Sequence, residues 1–365
     1  MKQCVQWVKT LSPLYLASAG VLLIAVGILA VVALFSSSPE VGGRHGFDMD
    51  TERRASVSCT HHRALDGVCV DTARDTLPPF VAVMIENHYD ARPLSGLSQA
   101  SVVYEVPVEA NFTRFLAIYP GDQGVEKVGP VRSARPYYLD WVSEYPDALY
   151  MHVGGSPDAL SLIRQYDIFD MNEMFRGWYF WRSTDRYAPH NTYTSSALWQ
   201  EARMEYTRDG EVVTTEAPVF RPWIFAEQDA CIDECVEHVD VTFSGEVYKV
   251  SWRYITSTAQ YIRSELGEVV VDREDGTPIV ADTLVIQYVD TTVLDNVGRL
   301  GMDTIGSGEA IVFRNGFQID GSWKKDSRTE RTLFFDTSGN EIPFKAGKIW
   351  IEVVNRVDGV SVGNG

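Results

Sequence analysis

The strongest pattern along the chain is an unbroken apolar run, LYLASAGVLLIAVGILAVVALF at 14–35, with no charged residue in it. About 22 residues rising 1.5 Å each cross a bilayer core of roughly 30 Å, so the run predicts a transmembrane helix. Lys2 and Lys9 precede it, and the flank SSSPEVGG carries no Lys or Arg before Arg44. The positive-inside rule then puts residues 1–13 in the cytoplasm and the rest outside. A cleaved signal peptide is the rival reading, but the run exceeds a usual h-region and lacks a clean small-residue cleavage site. Residues 36–77 are rich in Ser, Gly, Arg and Asp without sustained periodicity and read as a stalk.

From Pro78 the texture changes. FVAVMIE (80–86), SVVYEVPVE (101–109), FTRFLAIYP (112–120) and ALYMHV (148–153) are short apolar or alternating runs that predict strands. YYLDWVSEY (137–145) and SSALWQEARMEY (195–206) have helical spacing. Gly154-Gly155-Ser156-Pro157 predicts a turn and a helix start, with Ser156 as N-cap and Pro157 at the first helical position. Residues 78–206 therefore read as an α/β domain, and 207–239 as a linker. Residues 240–357 alternate β-branched and aromatic runs with Gly, Asn and Asp turns, and Asn315-Gly316 is a two-residue hairpin signal. That segment reads as a mainly antiparallel β domain, followed by a tail at 358–365. The fold class is α+β behind a transmembrane anchor.

A formal net charge of −18 excludes a diffuse nucleic-acid-binding surface. Four of the five Cys fall on the predicted outer side in two local pairs, Cys59 with Cys69 and Cys231 with Cys235, which suggests two small-loop disulfides in an oxidising compartment. The rival is a zinc site, because Cys59-Thr-His61-His62 precedes Cys69, but paired C-x-x-C spacing is lacking.

Basic and imidazole residues gather in 78–206. VGPVRSARPYY contributes Arg132, Ser133 and Arg135, and FWRSTDRYAPHNTY contributes Arg182, Arg186, His190 and Asn191. YMHVGGSP places His152, Gly154, Gly155 and Ser156 at a helix N-terminus, a natural anion site. With Arg114 on a strand, these could form one pocket for a phosphate, pyrophosphate or carboxylated sugar. Singly, each Arg reads more simply as a surface ion pair with one of 50 acidic residues. Glu105 and Glu109 share a face if the strand runs through both, and could coordinate Mg²⁺ or divide acid and base roles in glycan cleavage. An Arg–Glu network including Arg114 is the alternative. His152 and His190 read either as general bases or as hydrogen-bonded structural side chains. Ser133 and Ser156 lack a nucleophile-elbow context. Trp252, Trp323 and Trp350 read as core, Trp323 beside two lysines being the one with a possible surface role.

The stretches ENHYDARPLSGLSQASVVYEVPVEANFTRFLAIY, VGPVRSARPYYLDW, YMHVGGSP and RYAPHNTY, with GSGEAIVFRNGFQIDGSWKKDSRTERTLFFDTSGNEIPF and GKIWIEVV, resemble the YerB-like bacterial family of membrane-attached envelope proteins. The resemblance spans roughly 78–356. It implies two linked domains in a bacterial envelope and supplies no activity. Family members are often lipoproteins, whereas this chain departs by its transmembrane run. The order of anchor, RPLSGLSQASVVYEV and GPVRSAR is also similar to that of LytR-CpsA-Psr phosphotransferases, which implies pyrophosphate-linked glycopolymers as ligands. Together these lead to the expectation of an extracytoplasmic protein binding, and in the catalytic case processing, an anionic cell-wall glycan or lipid-linked precursor. The alternatives are a non-catalytic scaffold for cell-wall enzymes and a glycan-cleaving enzyme using Glu105 and Glu109.

Overall fold

The computed structural model describes residues 59–208 and 220–364, apart from 244 and 357. The apolar run at 14–35 predicted to cross a membrane, the predicted cytoplasmic flank before it, the first part of the predicted stalk and 209–219 of the predicted linker lie outside the described residues. Among the described residues no helix is long and apolar enough to cross a membrane.

The described chain is mixed α/β, mostly strand with few helices. Phe80–Glu86 is buried at all seven positions, as a strand apolar on both faces must be when both faces are covered. It lies inside a ten-stranded sheet whose order is Leu333–Asp336, Phe317–Lys325, Gly306–Arg314, Thr283–Tyr288, Ile349–Val354, Val102–Pro107, Thr113–Pro120, Phe80–Glu86, Leu149–His152 and Asp170–Asn172. Val81, Val83 and Ile85 point to one face and Phe80, Ala82 and Met84 to the other, the two-residue period of a strand. The first face packs on a second, antiparallel sheet built around Val236–Thr242, Lys249–Ile255 and Gln260–Glu265. The opposite face is covered by the helices Tyr138–Val142 and Pro157–Gln165.

Local signals act as their chemistry dictates. Ser156 Oγ accepts the N–H of Ala159, with Pro157 at the helix start. Asn315 and Gly316, at φ 51° and 83°, close the hairpin between Gly306–Arg314 and Phe317–Lys325, where both central residues need positive φ. Both disulfides, Cys59–Cys69 and Cys231–Cys235, are formed. Trp252, Trp323 and Trp350 are all buried, and Trp323 donates to the Tyr288 carbonyl at 2.7 Å, so it has no surface role.

Ile349–Val354 joins the two predicted domains in one sheet, lying between Thr283–Tyr288 and Val102–Pro107 and parallel to both. Two expectations need correction. Residues 358–365, read as a tail, supply the strand Gly359–Asn364, antiparallel to Val236–Thr242. Residues 59–77, read as the end of the stalk, pack on the body. Leu65 is fully buried, and Asp66 accepts from Ser101 Oγ at 2.6 Å and, through its carbonyl, from Gly347 N–H at 2.9 Å.

Candidate functional site

Phe80–Glu86, Leu149–His152 and Asp170–Asn172 run parallel, so their carboxyl ends share one edge of the sheet. Such an edge is where α/β sheets commonly place ligands. The segment 130–132 is pinned there, Glu86 N–H donating to Pro130 O at 2.9 Å and Arg132 N–H to Met84 O at 2.9 Å. The 181–193 hairpin joins it through Val131 N–H to Thr192 O at 2.7 Å. Three segments far apart in sequence, 86–93, 129–136 and 181–193, thus meet at the end of one strand.

Glu86 is the hub. Its carboxylate lies 3.0 Å from Arg132 Nε and 2.9 Å from His190 Nδ1. His190 stacks on His88 with centroids 4.8 Å apart, and His88 also packs against Tyr89 and the edge of Phe112. His88 Nδ1 sits 3.6 Å from an Asp90 carboxylate oxygen. Arg186 donates to the carbonyls of Asp90 and Pro93. Burial lowers the His88 pKa, as does the neighbouring His190, so His88 is neutral at neutral pH.

Beside this group lie two further guanidiniums. Arg114, opposite Glu86 in the ladder, is buried and donates to Ser133 O at 2.6 Å. Burial first, then the charges of Arg135 and Arg132, lower its pKa. Among the described residues Arg114 pairs with no carboxylate. Arg135 grips Glu109 with two bonds of 2.5 and 2.7 Å. Burial raises the Glu109 pKa, but this bidentate bond and the Arg135 charge outweigh it and leave the carboxyl below its ordinary value.

The other sequence candidates are placed elsewhere. Arg182 is exposed, bonded to Glu173 at 2.9 Å and to Asn191 Oδ1 at 3.2 Å. His152 is fully buried between the Gly154 carbonyl at 2.7 Å and Asp170 at 3.2 Å. The turn after it is already engaged: Gly154 N–H donates to Asn172 Oδ1, Ser156 N–H donates to Ala134 O, and Gly155 bridges to Ala134. Glu105 and Glu109 do not share a strand face, because the strand ends at Pro107 and Glu109 begins a 3₁₀ turn. Glu105 instead faces the second sheet, fully buried, 2.7 Å from Arg263 and bonded by Asn87 and Thr113. A Mg²⁺ site shared by these two glutamates is therefore not formed.

Arg263 lines a cleft of ≈ 320 Å³ on that side of the sheet, together with Asn87, Arg92, Leu94, Phe115 and Glu265. Its guanidinium also meets Glu265 at 2.7 Å and Glu352 at 3.2 Å, and lies over Trp350. Asn87 joins the two sides, taking Arg92 Nε on its carbonyl while donating to Glu105.

The sequence reading passed over Glu86, His88, Asp90, Arg263 and Glu352. The first three stand in ENHYDARP, directly after a buried strand, and the density of His and carboxylate residues there was the available signal. Arg263 and Glu352 stand alone in apolar runs and reveal their partners only in the fold.

Residues 65–208 match the N-terminal domain, and 239–351 the C-terminal domain, of a family described as "Protein of unknown function (DUF3048)". A Bacillus subtilis (strain 168) protein named "Putative lipoprotein YerB" is 33% identical over 288 residues, 78% of this chain and 84% of that protein. The crystal structure of the YerB protein from Bacillus subtilis superposes with a TM-score of 0.71 at 31% identity, covering 82% of this chain and 99% of that one. The chain belongs to the DUF3048 family and carries its N- and C-terminal domains in order along the sequence.

Proposed function

We propose that the protein is a membrane-attached, extracytoplasmic envelope protein that binds the phosphate or pyrophosphate group of an anionic glycan or lipid-linked precursor. Attachment is supported by the apolar run at 14–35 and by the lipoprotein name of the B. subtilis relative, and an oxidising, extracytoplasmic setting by the two disulfides. The observation that carries the ligand is Arg114, a buried cation without a carboxylate partner among the described residues, grouped with Arg132 and Arg135. A buried charge is costly unless paired, and a bound phosphate oxygen would supply the missing counter-charge. Glycan cleavage by Glu105 finds no support, since that carboxylate is sealed from solvent by Arg263.

A second reading is a non-catalytic scaffold for cell-wall enzymes. It is favoured by the internal pairing of Arg132 with Glu86 and of Arg135 with Glu109.

Thermal denaturation of the full chain in detergent, with and without undecaprenyl-type or sugar diphosphates, separates the two. A ligand at about 100 times its Kd stabilises by roughly 2.7 kcal/mol. The anion reading expects that shift in the wild type and its loss in Arg114→Gln. No shift with any diphosphate leaves the scaffold reading standing.

A further inference from the structure

We propose that His88, Asp90 and His190 form a binding site for a divalent transition ion of the zinc class. The proposal stands apart from the anion reading, because it concerns neither Arg114 nor a phosphate.

The ligating atoms that these three side chains offer lie within 4.8 Å of one another. A tetrahedral ion with bonds of about 2.0–2.1 Å holds its ligand atoms roughly 3.3 Å apart. The group must therefore draw in by up to about 1.5 Å, and Asp90 is free to supply much of that movement: its side chain is 58% exposed.

The second observation is the support behind the ligands. Metal-bound imidazoles commonly donate their other ring N–H to a carboxylate, which fixes the tautomer and orients the ring. Glu86 stands in that position, 2.9 Å from His190 Nδ1, and leaves the lone pair on Nε2. Arg132 on the other Glu86 oxygen keeps the carboxylate in place. His88 is held by the stack on His190 and by the edge of Phe112. Its Nδ1 accepts the Asp90 N–H at 3.2 Å and lies 3.6 Å from the Asp90 carboxylate, so a bound ion at Nδ1 would replace that hydrogen bond.

Two imidazoles with one carboxylate suit zinc-class ions better than Mg²⁺ or Ca²⁺, which prefer oxygen ligands. Three protein ligands leave a coordination position for water or for an oxygen of a bound molecule. The half-open setting of His88 and His190, each 17% exposed beside the exposed Asp90, gives the ion a path in from solvent.

The test is metal uptake by the full chain in detergent, without a histidine tag, stripped with chelator and titrated with Co²⁺ and Zn²⁺. One equivalent of Co²⁺ with visible absorption bands, displaced by Zn²⁺ but not by Mg²⁺, is expected. Asp90→Asn and His88→Ala should each weaken binding, and Glu86→Gln should do so by ~10–100-fold. Because Glu86 also holds Arg132, Asp90→Asn is the decisive variant: it alters an exposed carboxylate and leaves the Glu86 pairs intact. Absence of stoichiometric uptake in the wild type overturns the site, as does uptake unchanged in Asp90→Asn and in a His88→Ala/His190→Ala double variant.

Discussion

Arg263 and Glu105 meet at 2.7 Å with both side chains wholly out of solvent. One belongs to the second sheet and the other to the ten-stranded sheet, so this ion pair joins the two layers. Glu265 and Glu352 complete a shell of three carboxyl groups around one guanidinium, and the Trp252 indole donates to Glu352 at 2.7 Å. Aromatic faces fill the remaining sides.

Arg263→Met keeps most of the side-chain volume and removes the charge. Glu105 is then left buried without its cation, whereas Glu265 keeps Arg92 at 2.7 Å, and breaking a buried pair from one side costs about 3–5 kcal/mol. Urea denaturation should show that loss, and adding Glu105→Gln should recover part of it. A loss below about 1 kcal/mol would mean that water reaches the cluster.

Glu352 stands opposite Glu105 in the parallel ladder. Burial, and then the Glu105 charge, push its carboxyl well above the ordinary 4.5, with Arg263 opposing. The native state therefore keeps its proton after the unfolded chain has released it. The resulting contribution to stability is full below pH 4.5 and declines as pH rises toward the native value. Glu352→Gln does not titrate, so its stability relative to wild type should rise between pH 5 and pH 8. Parallel stability curves for the two proteins would contradict the protonated carboxyl.

Glu109 carries the opposite sign. Its native carboxyl lies below the ordinary 4.5, because the Arg135 bond and charge outweigh burial. That contribution is present above pH 4.5 and is lost as pH falls through the lower native value. Arg135→Ala should cost about 1.5–3 kcal/mol at neutral pH, and the difference from wild type should narrow in acid. A cost unchanged by acid would assign it to packing of the Arg135 stem.

Gly316 and Gly339 share a left-handed backbone, at φ 83° and 84°, in different surroundings. A Cβ at Gly316 would sit 2.7 Å from the Tyr254 ring and 2.8 Å from Cys231 Cβ, whereas one at Gly339 meets nothing within 4 Å. Gly339→Ala should cost about 1–2 kcal/mol for the conformation alone. Gly316→Ala should cost clearly more and should disturb the Cys231–Cys235 staple, seen as faster disulfide reduction. Equal losses would show that the hairpin tip yields freely.

What was legible in the sequence is what chemistry decides locally. Ser156 and Pro157 start a helix, and Asn315-Gly316 closes a hairpin, through short-range backbone demands. The placement of Ile349–Val354 between two strands of earlier sequence is a long-range choice; periodicity reports burial and does not name a neighbour. The Arg-rich segments do meet at one sheet edge, yet the sequence could not tell that Arg132 and Arg135 are each already held by a carboxylate. Glu109 looked like the partner of Glu105 only while the strand was assumed to pass Pro107.

The position of Ile349–Val354 also bears on the order in which the protein can mature. Val102–Pro107 is synthesised long before the strand that lies beside it. Until residue 354 arrives, the early half has a bare margin of unpaired peptide groups, the kind that recruits other chains. The two halves of this chain are therefore obligate companions. A premature stop or a proteolytic cut ahead of Ile349 should yield aggregate rather than a smaller working protein.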